Sequence, residues 1–276
     1  MANDASAAVS EPRSVPSEPN PTRSAKGQPV TAQPAQSPAK QVKRRRVPRW
    51  EVVQTLLGRF EDPRYLEVGV SKGTTFHQIS AASKVAVDPV FKFDWETERR
   101  RRSADTEYYQ VTSDVYFGAI VDDDQQFDVI FLDGLHTFEQ TLRDFTNALT
   151  HLAPRGVIVI DDVNPPTYHA SLPDPSRYQR LRKHVKDDRR AWMGDVYKLV
   201  WFIDTFYQSM SYATVADNHG QAVVWRERRT SVVDRSTTEI GDLSFESFVL
   251  GADVLQRRPF AEIVADMGPH IGTVAS

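Results

Sequence analysis

Short apolar segments alternate with longer polar or amphipathic segments through most of this chain, and this alternation constrains the fold more than any other feature. Each apolar segment has the length of a β-strand, and the segments between them have the spacing of helices. Strands and helices that alternate over short connections build a parallel sheet covered on both faces. Five segments follow this pattern: 64–70 (RYLEVGV), 84–89 (KVAVDP), 108–113 (YYQVTS), 127–133 (FDVIFLD) and 156–162 (GVIVIDD).

The pattern changes after the fifth segment. Residues 194–208 are strongly apolar and predict a helix, with Asp195 as its N-cap. MSYATVAD and GQAVVWRER then predict two strands of a hairpin, because a turn sequence (Asn-His-Gly) separates them. The predicted fold class is therefore α/β, with a seven-stranded, mostly parallel sheet, a C-terminal antiparallel hairpin and helices on both faces. Residues 74–83 are expected to form one of these helices.

Composition divides the chain into three parts. Residues 1–47 contain almost no large apolar side chains, so they cannot offset the entropy of ordering, and we expect a disordered tail. Residues 48–228 are expected to form the sheet domain, and residues 229–276 a partly helical C-terminal extension. The basic segment 43–49 (KRRRVPR) either recruits an anionic partner or is a solubilising boundary segment, and the second explanation is favoured.

The bulk charge and residue usage exclude several classes of function. A net charge of −3 and a pI near 6.2 give no general case for binding nucleic acid or membranes. The chain has no cysteine, which excludes disulfides and thiolate metal sites. No apolar run approaches the roughly 20 residues that cross a bilayer, and the polar N-terminus has no secretory apolar segment. We therefore expect a cytoplasmic protein.

A glycine-containing loop follows the first predicted strand. Glu67, Gly69 and Gly73 lie where this strand turns, and glycines there allow the backbone to approach a ligand closely. Asp88 closes the second strand, where a carboxylate can accept both hydrogen bonds of a ribose diol. The nicotinamide-binding fingerprint requires glycines two and five residues after the first one, and the chain has neither. Simple packing of a strand against the next segment would also explain the loop.

The spacing acid-x-Gly-x-x-x-Gly resembles the first motif of class I S-adenosylmethionine-dependent methyltransferases, and the terminal hairpin resembles their sixth and seventh strands. This resemblance covers roughly residues 50–228 and implies a Rossmann-like fold with S-adenosylmethionine as the cofactor. It also implies that Ser113 and Asp114 contact the adenine and that Asp133 borders the cofactor. Ser113 and Asp114 could equally cap the following helix.

Acidic residues end two strands that should be neighbours in the sheet. Asp133 ends the fourth strand, and Asp161 and Asp162 end the fifth. In open parallel sheets, ligands bind at the carboxyl ends of the strands. Three converging carboxylates repel one another unless a cation or protons compensate them. Their hard oxygen atoms suit Mg²⁺ or Mn²⁺. Helix capping and loop hydrogen bonds are the alternative explanation.

The same region resembles the metal site of catechol-type and sugar O-methyltransferases. DGLHTFE (133–139) resembles the DGxHxYE signature of a bacterial methyltransferase subfamily, with Phe138 in place of the tyrosine. The resemblance implies that His136 is the catalytic base, because catechol-type enzymes place a lysine base there. Gly134 is expected to let the chain turn over the metal. A polar residue packed at a helix entrance is the alternative for His136.

Two aromatic residues are candidates for the acceptor pocket. Trp192 is expected to form one wall, as the resemblance suggests, or else to anchor its loop to the core. Tyr168 belongs to NPPTY (164–168), which we interpret as a rigid loop bordering the site. Five other histidines show no metal-binding spacing and receive no role: His77, His151, His169, His184 and His219.

Together these features predict a methyltransferase that uses S-adenosylmethionine and a divalent cation to methylate a hydroxyl group of a sugar or small natural product. The expected partner is a small-molecule acceptor, while membrane and nucleic acid partners are not expected and the oligomeric state stays open. Three alternatives remain: a metal-independent methyltransferase, a nucleic-acid methyltransferase recruited by residues 43–46, and a cofactor-binding module without catalysis.

Overall fold

The computed structural model describes residues 45–101 and 105–272, apart from the side chain of residue 101. These residues belong to a compact unit spanning Lys43–Ser276. The predicted disordered tail lies outside the described residues except for residues 45–47. None of the helices in this described part of the chain has the length and apolarity needed to cross a membrane.

The described residues form a single eight-stranded sheet with the order β3-β2-β1-β4-β5-β7-β6-β8. Neighbours from β3 to β5 pair in parallel, whereas β7 pairs antiparallel with both β5 and β6. The strands are β1 (Arg64–Val68), β2 (Ser83–Val87), β3 (Thr106–Tyr109), β4 (Phe127–Leu132), β5 (Leu152–Ile160), β6 (Ser211–Val215), β7 (Ala222–Trp225) and β8 (Arg257–Arg258). The predicted fold class is confirmed, but the strand count of seven is wrong because the C-terminal extension adds the two-residue β8 beside β6.

Helices cover both faces of this sheet, as predicted. They are α1 (Arg49–Leu57), α2 (Trp95–Arg101), α3 (Ser113–Ala119), α4 (Phe138–Thr150), α5 (Pro175–His184), α6 (Tyr197–Phe206), α7 (Thr237–Gly241), α8 (Phe245–Leu250) and α9 (Phe260–Met267). Side chains alternate between the faces along each strand. For example, Leu132 packs in the core that includes α6 and α8, and Phe131 packs in the core that includes α1 and α9. The C-terminal extension therefore contributes to both cores.

The helix predicted over residues 74–83 is wrong. Only a 3₁₀ turn, Phe76–Gln78, forms there. The buried ammonium group of Lys84 donates to the carbonyl oxygens of Phe76 (3.0 Å) and Ile79 (2.8 Å). Ile79 has an extended backbone, so the chain leaves the turn and enters β2 a few residues later. A buried lysine thus satisfies carbonyl groups that a longer helix would have paired internally.

The registers of the central strands bring their carboxyl ends to one edge. Val68 pairs with Val87 and Leu132, and Leu132 pairs with Ile160. The next residue of each strand therefore lies at this edge, which places Gly69, Asp88, Asp133 and Asp161 together. Because β7 runs antiparallel and begins opposite the end of β5, the β6–β7 turn lies at the same edge. We call it the carboxyl edge.

Candidate active site

The three predicted aspartates meet at the carboxyl edge. We use the name acid cluster for Asp133, Asp161 and Asp162. The Asp161 and Asp162 residues are 2% and 3% exposed, and the Asp133 side chain is 16% exposed. The Oδ2 atoms of Asp161 and Asp162 are buried and accept no hydrogen bond with good geometry. Their near neighbours are Nε of Arg49, 2.9 Å from Oδ2 of Asp161, and Nδ1 of His136, 3.0 Å from Oδ2 of Asp162. Buried acceptors normally accept hydrogen bonds, so these two oxygens are candidates for contact with a ligand.

His136 lies against the acid cluster on one side. Its Nε2 is 3.1 Å from Oδ1 of Asp133, and its Nδ1 is 3.0 Å from Oδ2 of Asp162. Nδ1 is also 3.1 Å from the carbonyl oxygen of Trp192. Because a carbonyl only accepts, Nδ1 carries the hydrogen, and Nε2 is the nitrogen that faces Asp133.

A loop preceding α6 fixes the position of His136. Gly194 has a φ of +62°, and a Cβ atom there would collide with the carbonyl oxygen of His136. The carboxylate of Asp195 accepts a hydrogen bond from the amide of Phe138 (2.8 Å) at the start of α4. The prediction that Asp195 caps its own helix is therefore wrong, since Val196 occupies that N-cap without a side-chain bond. Asp195 caps the neighbouring helix instead.

Two residues of the site have a strained backbone conformation. His136 and Asp162 both have a φ of +61°, in the left-handed region that side chains with a Cβ rarely adopt. The chain bends over residues 134–136, as expected after the fourth strand, but Gly134 does not have a positive φ and the left-handed residue of this bend is His136. Strain of this kind persists only where surrounding contacts hold it, and it clusters at functional sites.

Two residues that the sequence did not single out complete the site. Nε2 of His219, in the β6–β7 turn, lies 2.6 Å from Oδ1 of Asp161. Arg49, the first residue of α1, lies 3.2 Å from Asp133, 2.9 Å from Asp161 and 3.5 Å from Asp162. The position of His219 follows from the antiparallel hairpin, so topology could have revealed it. No local signal could have revealed Arg49.

The proximity of the carboxylates changes the protonation of the site. Burial and the charge of Asp161 raise the pKa of Asp133. Burial and the charges of Asp161 and Asp133 raise the pKa of Asp162 to about 7. Burial alone would lower the pKa of His136, but its hydrogen bond with Asp133 and the charge of Asp162 outweigh this and raise it to about 9. A positive charge added to the acid cluster would lower the pKa of His136.

The donor atoms fit a divalent cation. Two overlapping groups, Asp133–His136–Asp162 and Asp161–Asp162–His219, each bring their ligand atoms within 4.8 Å of one another. Carboxylate oxygens are the ligands that Mg²⁺ prefers, and Mn²⁺ also accepts imidazole nitrogen. The buried Oδ2 atoms of Asp161 and Asp162, which accept no hydrogen bond of good geometry, also favour a cation at this position.

The predicted cofactor loop lies beside the acid cluster. Gly69 has a φ of +91°, and a Cβ atom there would collide with the carbonyl group of Asp133. Glu67 is buried, and its carboxylate accepts a hydrogen bond from the hydroxyl of Tyr65 (2.6 Å). Burial nevertheless raises the pKa of Glu67 to about 8. Gly73 also has a positive φ, and a Cβ there would meet the ring of His77.

The other predicted cofactor residues have partners within the chain. Asp88 accepts hydrogen bonds from the amides of Ser71 (2.8 Å) and Val90 (2.7 Å), so it holds the glycine loop against β2. The amide group of Gln140, in α4, donates to Ser113 (3.3 Å) and Asp114 (3.0 Å). Thr112, rather than either of these two residues, caps α3. The capping alternative for Ser113 and Asp114 is therefore wrong.

The predicted acceptor residues lie on the far side of His136. The ring of Trp192 stacks on His136 at a centroid distance of 5.0 Å, and its indole nitrogen donates to the carbonyl oxygen of Leu172 (2.7 Å). Tyr168 is 51% exposed and lines a neighbouring open cavity of about 410 Å³. The other residues that line this cavity are Leu172, Arg177, Arg180, Leu181 and His184.

One comparison with known proteins bears on the reaction. Residues 66–163 match the model of a methyltransferase domain, in agreement with the expectation of a methyltransferase. No curated protein sequence matches the chain.

Several solved structures are similar to the chain at low sequence identity. One is a putative caffeoyl-CoA O-methyltransferase from Staphylococcus aureus (15% identity, 64% of this chain and 82% of that chain, TM-score 0.45). Another is an O-methyltransferase from Bacillus cereus in complex with SAH (18%, 64% and 78%, TM-score 0.44). A third is the O-methyltransferase TomG from Streptomyces achromogenes (14%, 63% and 78%, TM-score 0.41).

Proposed function

We propose that the chain is an S-adenosylmethionine-dependent O-methyltransferase that uses a divalent cation at the acid cluster to methylate a hydroxyl group of a sugar or small natural product. The observation that carries this proposal is the meeting of three strand-end carboxylates, two of them with unsatisfied oxygens, directly beside the glycine loop. The match to a methyltransferase domain over residues 66–163 supports the class of reaction.

The residues of the carboxyl edge divide the work of holding the cofactor. S-adenosylmethionine supplies a methyl carbon made electrophilic by a positively charged sulfur. Gly69 and Gly73 keep the loop free of side chains where the nucleoside would approach. Glu67 places a carboxyl group near the positive charge, and Asp88 is available to a ribose diol. Ser113 and Asp114 are assigned to the adenine end.

The acid cluster and His136 serve the acceptor hydroxyl. Asp133, Asp161 and Asp162 would hold a divalent cation, which would supply Lewis acidity to lower the pKa of the acceptor hydroxyl group. The added positive charge would lower the raised pKa of His136, and the imidazole would then take the hydroxyl proton at Nε2, because Nδ1 donates to the carbonyl oxygen of Trp192. The contacts from Trp192, Gly194 and Asp195 hold the imidazole and its loop in place. Positioning is the main contribution that such a reaction requires from the protein.

The cavity beyond Trp192 suggests where the rest of the acceptor binds. Its volume of about 410 Å³ suits a small molecule. The exposed aromatic ring of Tyr168 offers a stacking surface, and the guanidinium groups of Arg177 and Arg180 form no ion pair among the described residues. We therefore propose that the acceptor combines a ring with an anionic or strongly polar substituent.

Metal removal tests the proposal most directly. Methyl transfer from S-adenosylmethionine is measured against a panel of sugar and phenol acceptors, in EDTA and after addition of Mg²⁺ or Mn²⁺. We expect activity to be lost in EDTA and restored by the metal. Full activity in EDTA would reject the role of the cation.

Replacement of the base tests the remaining assignment. We expect His136→Ala to reduce the rate by about 10²–10⁴-fold, as for loss of a general base, while affinity for S-adenosylmethionine is unchanged. His270→Ala, which removes an imidazole far along the chain near Glu227, is the matched control. An unchanged rate in His136→Ala would remove its assignment as the base.

A metal-independent methyltransferase is the second candidate, and one observation favours it. Arg49 already places a permanent positive charge within 3.5 Å of all three carboxylates. The nucleic-acid alternative has no comparable support, because Arg45 forms an ion pair with Glu51 (2.6 Å), and residues 43 and 44 lie outside the described residues. If EDTA has no effect and Arg49→Gln abolishes methyl transfer, the metal-independent candidate is correct.

A further inference from the structure

Arg49 reaches the acid cluster from outside the segment that matches the methyltransferase model. It is the first residue of α1, and its side chain is 39% exposed. Its Nη1 lies 3.2 Å from Asp133, its Nε 2.9 Å from Asp161 and its Nη2 3.5 Å from Asp162. Among the residues that the structure describes, no other lysine or arginine pairs with these carboxylates. One guanidinium group therefore spans all three acids.

Arg49 lies close to the carboxylates, but its contacts with Asp161 and Asp162 lack the geometry of a hydrogen bond. The hydrogen of its Nε is directed at Nε2 of His219 (3.1 Å) rather than at the nearer oxygen of Asp161. With Asp162, it forms an ion pair without a hydrogen bond of good geometry. The guanidinium thus neutralises charge without satisfying the buried oxygens. A structural arginine would be expected to form the bidentate bonds that this side chain favours.

The position of Arg49 conflicts with simultaneous occupation by a second cation. A divalent ion bound to the three carboxylates would lie within a few ångströms of the guanidinium, and two positive charges at that separation repel strongly in a buried site. Arginine cannot relieve this repulsion by losing its proton. One of the two cations must therefore move away for the other to bind well.

The surroundings of Arg49 provide a route for that movement. The residue lies at the N-terminus of α1, preceded by Pro48, and the N-cap makes no side-chain bond. The segment before it is attached to the β6–β7 turn by one backbone hydrogen bond, from Val47 to Asp217 (2.9 Å). This is the same turn that carries His219. Movement of Arg49 would therefore change the surroundings of His219, which is a candidate metal ligand.

We propose that Arg49 is a built-in counter-cation that stabilises the acid cluster when no metal is bound and that a divalent cation must displace. This inference rests on the proposed function, because it assumes that the acid cluster binds metal. It assigns to Arg49 the role of a positioning residue that sets metal affinity. It also couples metal binding to the contact between the start of α1 and the β6–β7 turn.

Metal binding in the absence of substrate tests the proposal. Binding of Mn²⁺ to the full chain is measured by calorimetry and by electron paramagnetic resonance, for the wild type, Arg49→Gln and Arg49→Lys. We expect Arg49→Gln to bind Mn²⁺ at least about tenfold more tightly, since one repelling charge is gone. Arg49→Lys keeps the charge and should remain close to the wild type. Arg45→Gln removes a nearby exposed charge and should not change the affinity.

Thermal unfolding provides the second readout, which also covers a variant that folds poorly. In EDTA, Arg49→Gln should melt at a lower temperature than the wild type, because the acid cluster loses its compensation. Saturating Mn²⁺ should raise the melting temperature of Arg49→Gln by more than that of the wild type. If the role of Arg49 is only structural, Arg49→Gln should lower the melting temperature by the same amount in EDTA and in saturating Mn²⁺.

The outcomes separate this inference from the proposed function. Equal Mn²⁺ affinity in the wild type and Arg49→Gln, or weaker binding in Arg49→Gln, overturns the role of Arg49 while leaving the metal site intact. Binding in neither protein overturns the metal site itself, and the inference with it. Binding that is detectable only in Arg49→Gln supports both.

Discussion

Two buried clusters of charge in this molecule are built on opposite principles. In the second cluster, Asp204 in α6 accepts hydrogen bonds from Tyr212 (2.9 Å), Arg229 (2.8 Å) and Arg235 (2.9 Å). Arg229 further donates to the backbone carbonyl oxygens of Met210, Ile203 and Asp204, at 2.8–2.9 Å. One carboxylate is here matched by two guanidinium groups, and its oxygens are satisfied.

The acid cluster reverses this ratio, because three carboxylates share one guanidinium and two oxygens remain unsatisfied. Asp204 connects α6, β6 and the C-terminal extension, so its cluster behaves as a structural joint. The two clusters differ in their effect on stability. A buried charge with complete hydrogen bonds stabilises the fold, whereas a buried charge with an incomplete set stays available to a ligand and lowers the free energy of unfolding.

The largest stability effect should come from breaking the complete cluster. Replacing Arg229 by Met removes one of the two guanidinium groups that pair with Asp204 and leaves the carbonyl groups of Met210, Ile203 and Asp204 without this donor in a buried position. We expect a loss of about 3–5 kcal/mol in the free energy of unfolding, measured by urea denaturation. Arg189→Met, which removes an exposed partner of Asp187, is the control and should change little. A small loss in Arg229→Met would mean that the two clusters do not differ in the proposed way.

Neutralising one acid in the incomplete cluster should have the opposite signature. Asn tolerates the left-handed backbone of residue 162, so Asp162→Asn changes charge with little change in shape. We expect methyl transfer to fall by about 100-fold, as for loss of a group that acts in the transition state. Stability at pH 8 should stay constant or rise, because one of three repelling charges is gone. Asp242→Asn, at an exposed position, is the control, and a large loss of stability in Asp162→Asn would contradict the contrast.

Gly194 tests whether the loop before α6 belongs to the reactive region. Gly194→Ala must carry a Cβ at a φ of +62° and push it into the carbonyl oxygen of His136. We expect a loss of about 1–3 kcal/mol in stability together with a loss of activity. Gly118→Ala is the matched control, since nothing lies within 4 Å of its Cβ and alanine favours the helix. Full activity in Gly194→Ala would show that the position of His136 does not depend on this loop.

The smallest expected effect concerns Glu67, and it is a change in how the free energy of unfolding depends on pH. Burial raises the pKa of Glu67 from 4.5 to about 8, so the native state holds this proton more tightly than the unfolded chain. Its contribution to stability is therefore full below pH 4.5 and is lost as the pH rises through 8. Glu67→Gln should reduce the slope between pH 6 and 7.5 by up to about 1.4 kcal/mol per pH unit. An unchanged slope in urea titrations would show that Glu67 does not titrate in this range.

The sequence predicts those features of the molecule that are determined by a few consecutive residues. The parallel strands are predictable because their apolar runs are brief, and the registers of β4 and β5 then dictate that Asp133 and Asp161 meet. The helix after Gly73 was wrong because its end is determined by Lys84, a residue of the next strand. Arg49 could not be found, since its role depends on where α1 packs. His219 was overlooked although the direction of β7 places its turn at the carboxyl edge.

The division of labour along the chain has a practical consequence for building smaller versions of this protein. The segment that matches the methyltransferase model supplies every acid of the cluster, but Arg49, Trp192 and His219 all lie outside it. A fragment cut to that segment, or a graft of it onto another scaffold, would carry the three crowded carboxyl groups and His136 without Arg49, Trp192 and His219. The residues of the site run from the start of α1 to the end of β7, and a transferable unit also needs the C-terminal extension, because its side chains pack in both cores.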